Sequence, residues 1–296
     1  MDKKQLESYQ KAGEISIKVK EYAKDLIKPG MPLVEIAQKI EKKIEELGGI
    51  PAFPVNLSID AIAAHYHPTI DDLTKATGLL KVDIGVHING FIADTAFSLD
   101  LTPNKEHKEL IRASEHAVEN AIKIIDENPT LHEIGESIKD TIESHGFFPI
   151  VNLSGHGLDE YDLHSGITIP NYPNNKQETL EEDSAYAIEP FATAGEGKIY
   201  EGASSNIYSI IDLKNTRNLT GRKILEYVWD KYQALPFSLR EMQEKFGPMS
   251  RLAMKQMTQE GILHDFPQLI EKSHKPVSQA EHTIVKLKNK NIVTTK

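Results

Sequence analysis

The sequence has 296 residues, with 34 Lys+Arg against 44 Asp+Glu, 12 His and no cysteine. A net charge of −10 excludes a basic surface that coats nucleic acid, and the missing cysteine excludes disulfides, thiolate metal sites, Fe–S clusters and thiol nucleophiles. No apolar run approaches the ~20 residues needed to cross a bilayer, and Met1-Asp2-Lys3-Lys4-Gln5 is not followed by the apolar stretch of a signal peptide, so a cytoplasmic location is expected.

In chain order, a long helical pattern over Lys4–Ile27 leads to Leu33–Gly48, where Ile36, Ile40 and Ile44 form one apolar stripe. Phe53-Pro54 follows. Leu79–Ile88 and Phe91–Leu99 are rich in β formers and flank Asn89-Gly90, the favoured type I′ hairpin turn. A second helical pattern over Lys105–Asp126 leads to Leu131–Gly146, which overlays Leu33–Gly48 at a constant offset of 98. Leu33, Glu35, Ile36, Ile40, Ile44, Glu45 and Gly48 meet identical residues there, and Phe148-Pro149 again follows. Two α-α-β units in tandem predict a pseudo-twofold α/β domain with its ligand site where the halves meet.

Ala185–Phe191 and His282–Leu287 read as strands. Between them Ile207–Ile270 is mostly helical and carries nine basic residues against seven acidic ones. It holds a capping box, Ser238 with Glu241, and a break at Gly247-Pro248. The expected organisation is a catalytic unit over 1–206 plus 271–296 with an inserted helical subdomain over 207–270. Within it, Ser238–Phe246, the Gly-Pro turn and Met249–Glu260 are winged-helix-like. Met249, Ala253 and Met257 are expected to face its core, and so small a positive charge argues against nucleic-acid binding.

The hairpin carries the first chemical signal. With Asn89-Gly90 at the turn, Gly85 faces Asp94 and Asp83 faces Ala96, so both aspartates lie on one strand face as diagonal neighbours. They either converge on a shared cation or ion pair, or belong to an exposed, solvated hairpin. Apolar Val82, Ile84, Val86, Ile92, Ala93 and Phe97 favour the first. Downstream, His156 stands between two glycines, Glu189 lies in an apolar strand, and Glu281 precedes the apolar His282-Thr283-Ile284-Val285. His65 and His164 complete a set of oxygen and imidazole groups that is informative only together.

The strings AAHY, KVDIGVHINGFIADTAF, SGHGLDEYDLHSGITIPN, IEPFAT and EHTI, in this order, resemble methionine aminopeptidases of the pita-bread fold. The likeness covers nearly the whole chain, and the LPFSLR string of the insertion is similar to the type 2 branch, in its archaeal form. This resemblance implies two divalent metal ions, with Asp83 on one, Asp94 and Glu281 bridging both, and His156 and Glu189 on the other. Four carboxylates and an imidazole suit Mn²⁺, Fe²⁺, Co²⁺ or Zn²⁺. It further implies Glu189 as proton shuttle, His65 and His164 as neutral donors to the peptide and the oxyanion, and Phe53 and Leu163 as lining for the methionine side chain. His67 departs from the family, which usually has Thr there; the departure bears on local substrate contacts. The implied partner is a peptide or nascent-protein N-terminus, with transient ribosome contact and a monomeric state. Two rivals are an X-Pro peptidase of the same fold and a non-catalytic relative that binds RNA or a protein partner.

Overall fold

A computed structural model describes residues 1–296. Its seven helices are α1 (Lys3–Leu26), α2 (Leu33–Glu46), α3 (Lys108–Ile125), α4 (Leu131–Ser144), α5 (Leu219–Tyr232), α6 (Leu239–Phe246) and α7 (Met249–Gln259). The duplicated segments are α2 and α4, and the correspondence extends to their hydrogen bonds. Each helix ends in a left-handed glycine, Gly48 at φ 83° and Gly146 at φ 81°, where a side chain would strain the turn. Before them, Pro32 bridges Lys75 and Thr130 bridges Thr179 at equivalent positions.

In each half two helices cover one face of a sheet. Ile36, Ile40 and Ile44 of α2 pack with Leu80, Val82, Ile84 and Val86 of the hairpin, while Ile134, Ile138 and Ile142 of α4 pack with Tyr186, Ile188 and Ile284. All six isoleucines are fully buried. Each contributes on the order of 1.5–3 kcal/mol, an upper value because the unfolded chain is itself partly collapsed. The hairpin spans Leu79–Ile88 and Phe91–Asp100, and its register is the expected one, with Gly85 opposite Asp94 and Asp83 opposite Ala96. Period-two alternation sends the even residues of the first strand into the helices and leaves Asp83 and Gly85 on the other face.

The second half uses a five-stranded sheet. Its middle strand, Ser184–Ile188, pairs with His282–Leu287 on one side and with Ser154–Asp159 on the other. The strand read over Ala185–Phe191 is interrupted at Glu189-Pro190, and Phe191–Thr193 joins a separate sheet.

Residues 219–259 hold the three helices α5–α7. Their flanks are strands: Ile199–Ile210 pairs antiparallel with Leu263–Glu271, with register shifts between Glu201, Ser204 and Tyr208. Met249 is exposed, contrary to expectation, because it opens α7 directly after the Gly-Pro break and has no preceding turn to pack on. The buried stripe of that helix is Ser250, Ala253, Met254 and Met257. The capping box of α6 forms only in part. Ser238 accepts the Glu241 N–H, while the Glu241 carboxylate accepts from Tyr227, Lys231 and Tyr232 instead. No helix is long and apolar enough to cross a membrane.

Candidate metal centre

One cavity at the meeting of the two halves collects the residues singled out from sequence. Asp83, Asp94, His156, Glu189 and Glu281 form its floor, and His65, His164, Phe53 and Leu163 line it above them. The hairpin supplies the two aspartates. Glu189 directly follows the strand Ser184–Ile188, and Glu281 directly precedes His282–Leu287; the pairing of His282 with Ile188 makes the two glutamates neighbours. His156 comes from the adjoining strand, opposite Ala187. Its flanking glycines admit neighbouring backbone, because a Cβ at Gly155 would stand 2.3 Å from the Ala187 oxygen and one at Gly157 2.1 Å from that of Ser165.

The distances fit a cation. His156 Nε2 lies 3.4 Å from Glu189 Oε1 and 3.8 Å from Asp94 Oδ2. One ligand atom each from Asp94, His156 and Glu281 lie within 4.8 Å of one another. His156 Nδ1 donates to the Gly157 carbonyl at 3.2 Å, which leaves the Nε2 lone pair facing the carboxylates. Asp83 Oδ1, Asp94 Oδ1 and Glu281 Oε2 are buried and accept no hydrogen bond. Such oxygens are costly unless something positive meets them.

The electrostatics agree. Burial, opposed slightly by hydrogen bonds, pushes Asp83 up to about 7. Asp94, Glu189 and Glu281 are driven well above the carboxylate range, first by burial and then by repulsion from one another and from Asp83. The only side chain that bonds two of these groups is Gln279, whose Nε2 stands 3.5 Å from Asp83 and from Glu189. A neutral amide does not balance four carboxylates. Divalent cations would, and the oxygen and imidazole donors match the preference of first-row ions.

Burial lowers His65 to about 4 and His156 to about 3, and it lowers His164 as well, so all three are neutral at pH 7. Neutrality divides the roles of the two candidate donors. His65, in left-handed backbone at φ 60°, spends its Nδ1–H on the Pro267 carbonyl at 3.2 Å. Its free Nε2 is therefore an acceptor, suited to a peptide N–H rather than to an oxyanion. His164 opens to solvent at the rim on one side while the surrounding chain desolvates its ring, which stands 4.5 Å from that of His156, and it remains free to donate. Phe53 lies over Gly85, where an added Cβ would stand 2.3 Å from its ring.

Asn56, Ala64, Ile207, Pro236 and Phe266 also line the cavity and were not anticipated. Asn56 pairs directly with Asp83 across the strand Asn56–Ile59, so recognising that strand would have found it. Phe266 lies in a segment read as helical. His67, by contrast, does not line the cavity. It is fully buried, donates from Nδ1 to the Val55 carbonyl at 2.8 Å and accepts from Arg240 Nε at 3.3 Å. Arg240 pairs with Glu41, which accepts the Val55 N–H, closing a ring that ties α2 and α6 to the Phe53 and His65 segments.

Residues 7–216 match the metallopeptidase family M24. The chain is 40% identical over 297 residues to the methionine aminopeptidase of Methanocaldococcus jannaschii, covering 99% of this chain and 100% of that protein. It is 43% identical to that of Thermococcus onnurineus, covering 96% and 97%. Among solved structures, a thermophilic Arx1 superposes with a TM-score of 0.86 at 19% identity over 99% of this chain and 91% of the other. The methionine aminopeptidase of Thermotoga maritima gives 0.71 at 20% identity, covering 100% and 98%. These similarities identify the architecture as the pita-bread fold, and the chain belongs to metallopeptidase family M24, among its methionine aminopeptidases.

Proposed function

We propose that this chain hydrolyses the first peptide bond of peptides and nascent proteins that begin with methionine, using two divalent metal ions in the cavity between its halves. In this reading Asp83, Asp94, His156, Glu189 and Glu281 would hold the ions. Three buried carboxylate oxygens that accept no hydrogen bond carry the proposal, since a cation at this site would meet all three. Bound there, such ions would supply Lewis acidity toward a water and the scissile carbonyl.

The side chains do the rest. Glu189 takes the proton of the attacking water on a carboxylate oxygen and passes it to the departing amine. His65 Nε2 accepts the N–H of the scissile peptide, and His164 donates to the oxygen that develops negative charge. Phe53 and Leu163 hold the methionine side chain and keep water from it. The catalytic unit is 1–206 plus 271–296, with 207–270 as the insertion. A monomer in the cytoplasm, with transient contact to the ribosome, completes the proposal.

The test is an assay of metal-stripped protein with Mn²⁺, Fe²⁺, Co²⁺ or Zn²⁺ added, comparing Met-Ala-Ser with Ala-Pro-Ser. Preferential release of free methionine is expected. Cleavage of only the proline peptide would replace the reading with an X-Pro peptidase, and no cleavage with any metal would remove it.

A further inference from the structure

The strand Phe91–Asp100 belongs to the first half, and it runs beside the second-half segment 277–283 without forming a ladder with it. One main-chain bond crosses this seam, from Glu281 N–H to the Ala96 carbonyl at 3.0 Å. Side-chain hydroxyls supply further links. Thr283 Oγ1 accepts the Asp94 N–H at 2.7 Å and donates to the Asp94 carbonyl at 2.8 Å. Thr95 Oγ1 donates to the Glu281 carbonyl at 3.0 Å. Ser98 Oγ donates to the Gln279 carbonyl at 2.8 Å and accepts its N–H at 2.9 Å. Both threonines are fully buried.

The pattern is reciprocal. Asp94 has its main chain held by a hydroxyl from beyond Glu281, and Glu281 has its carbonyl held by the residue after Asp94. We propose that Thr95 and Thr283 are positioning residues that fix the Asp94 and Glu281 carboxylates relative to each other and so set the cation affinity of the centre. The inference rests on the metal-centre reading above. Its physical basis is the cost of the alternative. Without the Thr283 hydroxyl, both main-chain groups of Asp94 lose a partner in a buried seam, and the backbone must shift to find others. Because the Asp94 side chain projects from that backbone, its carboxylate shifts as well. A site with several ligands tolerates displacements of only ~0.5 Å.

The experiment titrates Mn²⁺ into metal-stripped full-length protein by calorimetry, with Tm followed in parallel. Thr193→Val is the control, because Thr193 is equally buried and its hydroxyl also serves two main-chain groups, the Pro276 carbonyl and the Gly195 N–H, away from the cavity. Thr283→Val is expected to weaken Mn²⁺ binding about 10- to 100-fold relative to that control, the usual cost of removing support behind a ligand. Thr95→Val, which frees one main-chain group of a ligand instead of two and also removes an acceptor 3.5 Å from Lys20 Nζ, falls between them, and Thr283→Ser restores affinity. Should Thr283→Val be too unstable to purify, Thr95→Val against Thr193→Val decides the matter alone. Equal Mn²⁺ affinity in all variants, with only Tm lowered, would reduce the threonines to a structural role. A wild type that takes up none of Mn²⁺, Fe²⁺, Co²⁺ and Zn²⁺ removes the metal-centre reading and this inference together, an outcome distinct from a wild type that binds and a variant that binds equally well.

Discussion

The two halves share a helical scaffold but present their ligands on sheets of different regularity. In the first, Asp83 and Asp94 stand on a hairpin whose pairs run from Leu79–Asp100 to Ile88–Phe91 without a shift. In the second, the strand that carries His156 slips against Asp162–Pro170 between His156 and Gly157, and again before Asp159. Glu189 and Glu281 lie just outside strand ends. The regular ladder delivers two carboxylates by local rules. The irregular one brings together groups distant in the chain, and it needs backbone approaches that only glycine permits.

Removing one ligand from either half tests their equivalence with the largest effect. Asp94→Asn and Glu281→Gln are each expected to lower kcat/KM for Met-Ala-Ser by more than the 10- to 100-fold typical of outer support residues. The metal-free forms should nevertheless be folded and at least as heat-stable as wild type, since each change replaces a carboxyl that the metal-free fold must either keep protonated or desolvate as a charge. Retention of full activity in either variant would end the scheme in which both residues bridge.

The glycines give the next effect and sharpen the contrast. An alanine Cβ at Gly157 would meet the Ser165 carbonyl at 2.1 Å, and backbone cannot step aside. An alanine Cβ at Gly85 would meet the ring of Phe53 at 2.3 Å, which can rotate away at a cost of about 1–3 kcal/mol. Gly157→Ala should therefore lower Tm and metal affinity together. Gly85→Ala should chiefly raise KM for methionyl peptides, as should Phe53→Ala. Peptide kinetics and Mn²⁺ titration on the same preparations separate the two, and an unchanged KM in Gly85→Ala would detach Phe53 from substrate.

The acidity of the shared floor predicts a smaller effect with a definite sign. Asp83 is pushed up to about 7, and the other three carboxyls are likewise raised well above the carboxylate range by burial and mutual repulsion. Between the ordinary carboxylate range and those values, the metal-free folded chain holds protons that the unfolded chain has released. Its stability therefore falls as pH rises through 7. His65 and His156, lowered to about 4 and 3, act in the opposite direction below ~6.5, where the unfolded imidazole begins to protonate, and Lys81 and Lys20, lowered mainly by burial to about 7 and about 8, do so from there upward. Tm in EDTA should therefore decline between pH 6.5 and 7, above the range of the imidazoles and before the lysines act, and Mn²⁺ should flatten the slope. A Tm in EDTA that is level across this window would contradict the assignment.

The same contrast explains which parts were legible in the sequence. Helices α1–α4 and the hairpin follow from short-range rules: the isoleucine period, the C-terminal glycines and an Asn-Gly turn that fixes the register of Asp83 and Asp94. The proximity of Glu189 to Glu281 depends on the pairing of Ile188 with His282, which no local pattern encodes. The likeness to a known family supplied that link. The ribbon of Ile199–Ile210 with Leu263–Glu271 went unread because its register shifts break the alternation that marks a strand. Asn56 and Phe266 were missed for that kind of reason, since each lies on a strand that was not recognised. Thr95 and Thr283 looked like ordinary β formers, because a hydroxyl that replaces a ladder bond leaves no mark on hydropathy.

The smallest effect probes the duplicated helices, where the same residue has diverged in its work. Glu133 opens α4 in a capping box, with its carboxylate accepting the Thr130 N–H at 2.7 Å and the Thr130 hydroxyl accepting the Glu133 N–H at 3.2 Å. Glu35, its counterpart, follows Pro32, which makes no side-chain cap, and it turns outward to Lys39. Thr130→Ala should cost about 1 kcal/mol and lower Tm by roughly 2–4 °C. Glu133→Ala should move Tm in the same direction. Glu35→Ala removes only an exposed pair and should leave Tm within ~1 °C of wild type. None of the three should alter kcat or Mn²⁺ affinity, because both helix starts lie on the far side of their sheets from the ligands. Equal losses from Glu35→Ala and Glu133→Ala would mean that the two copies still hold their helices in the same way, despite the proline.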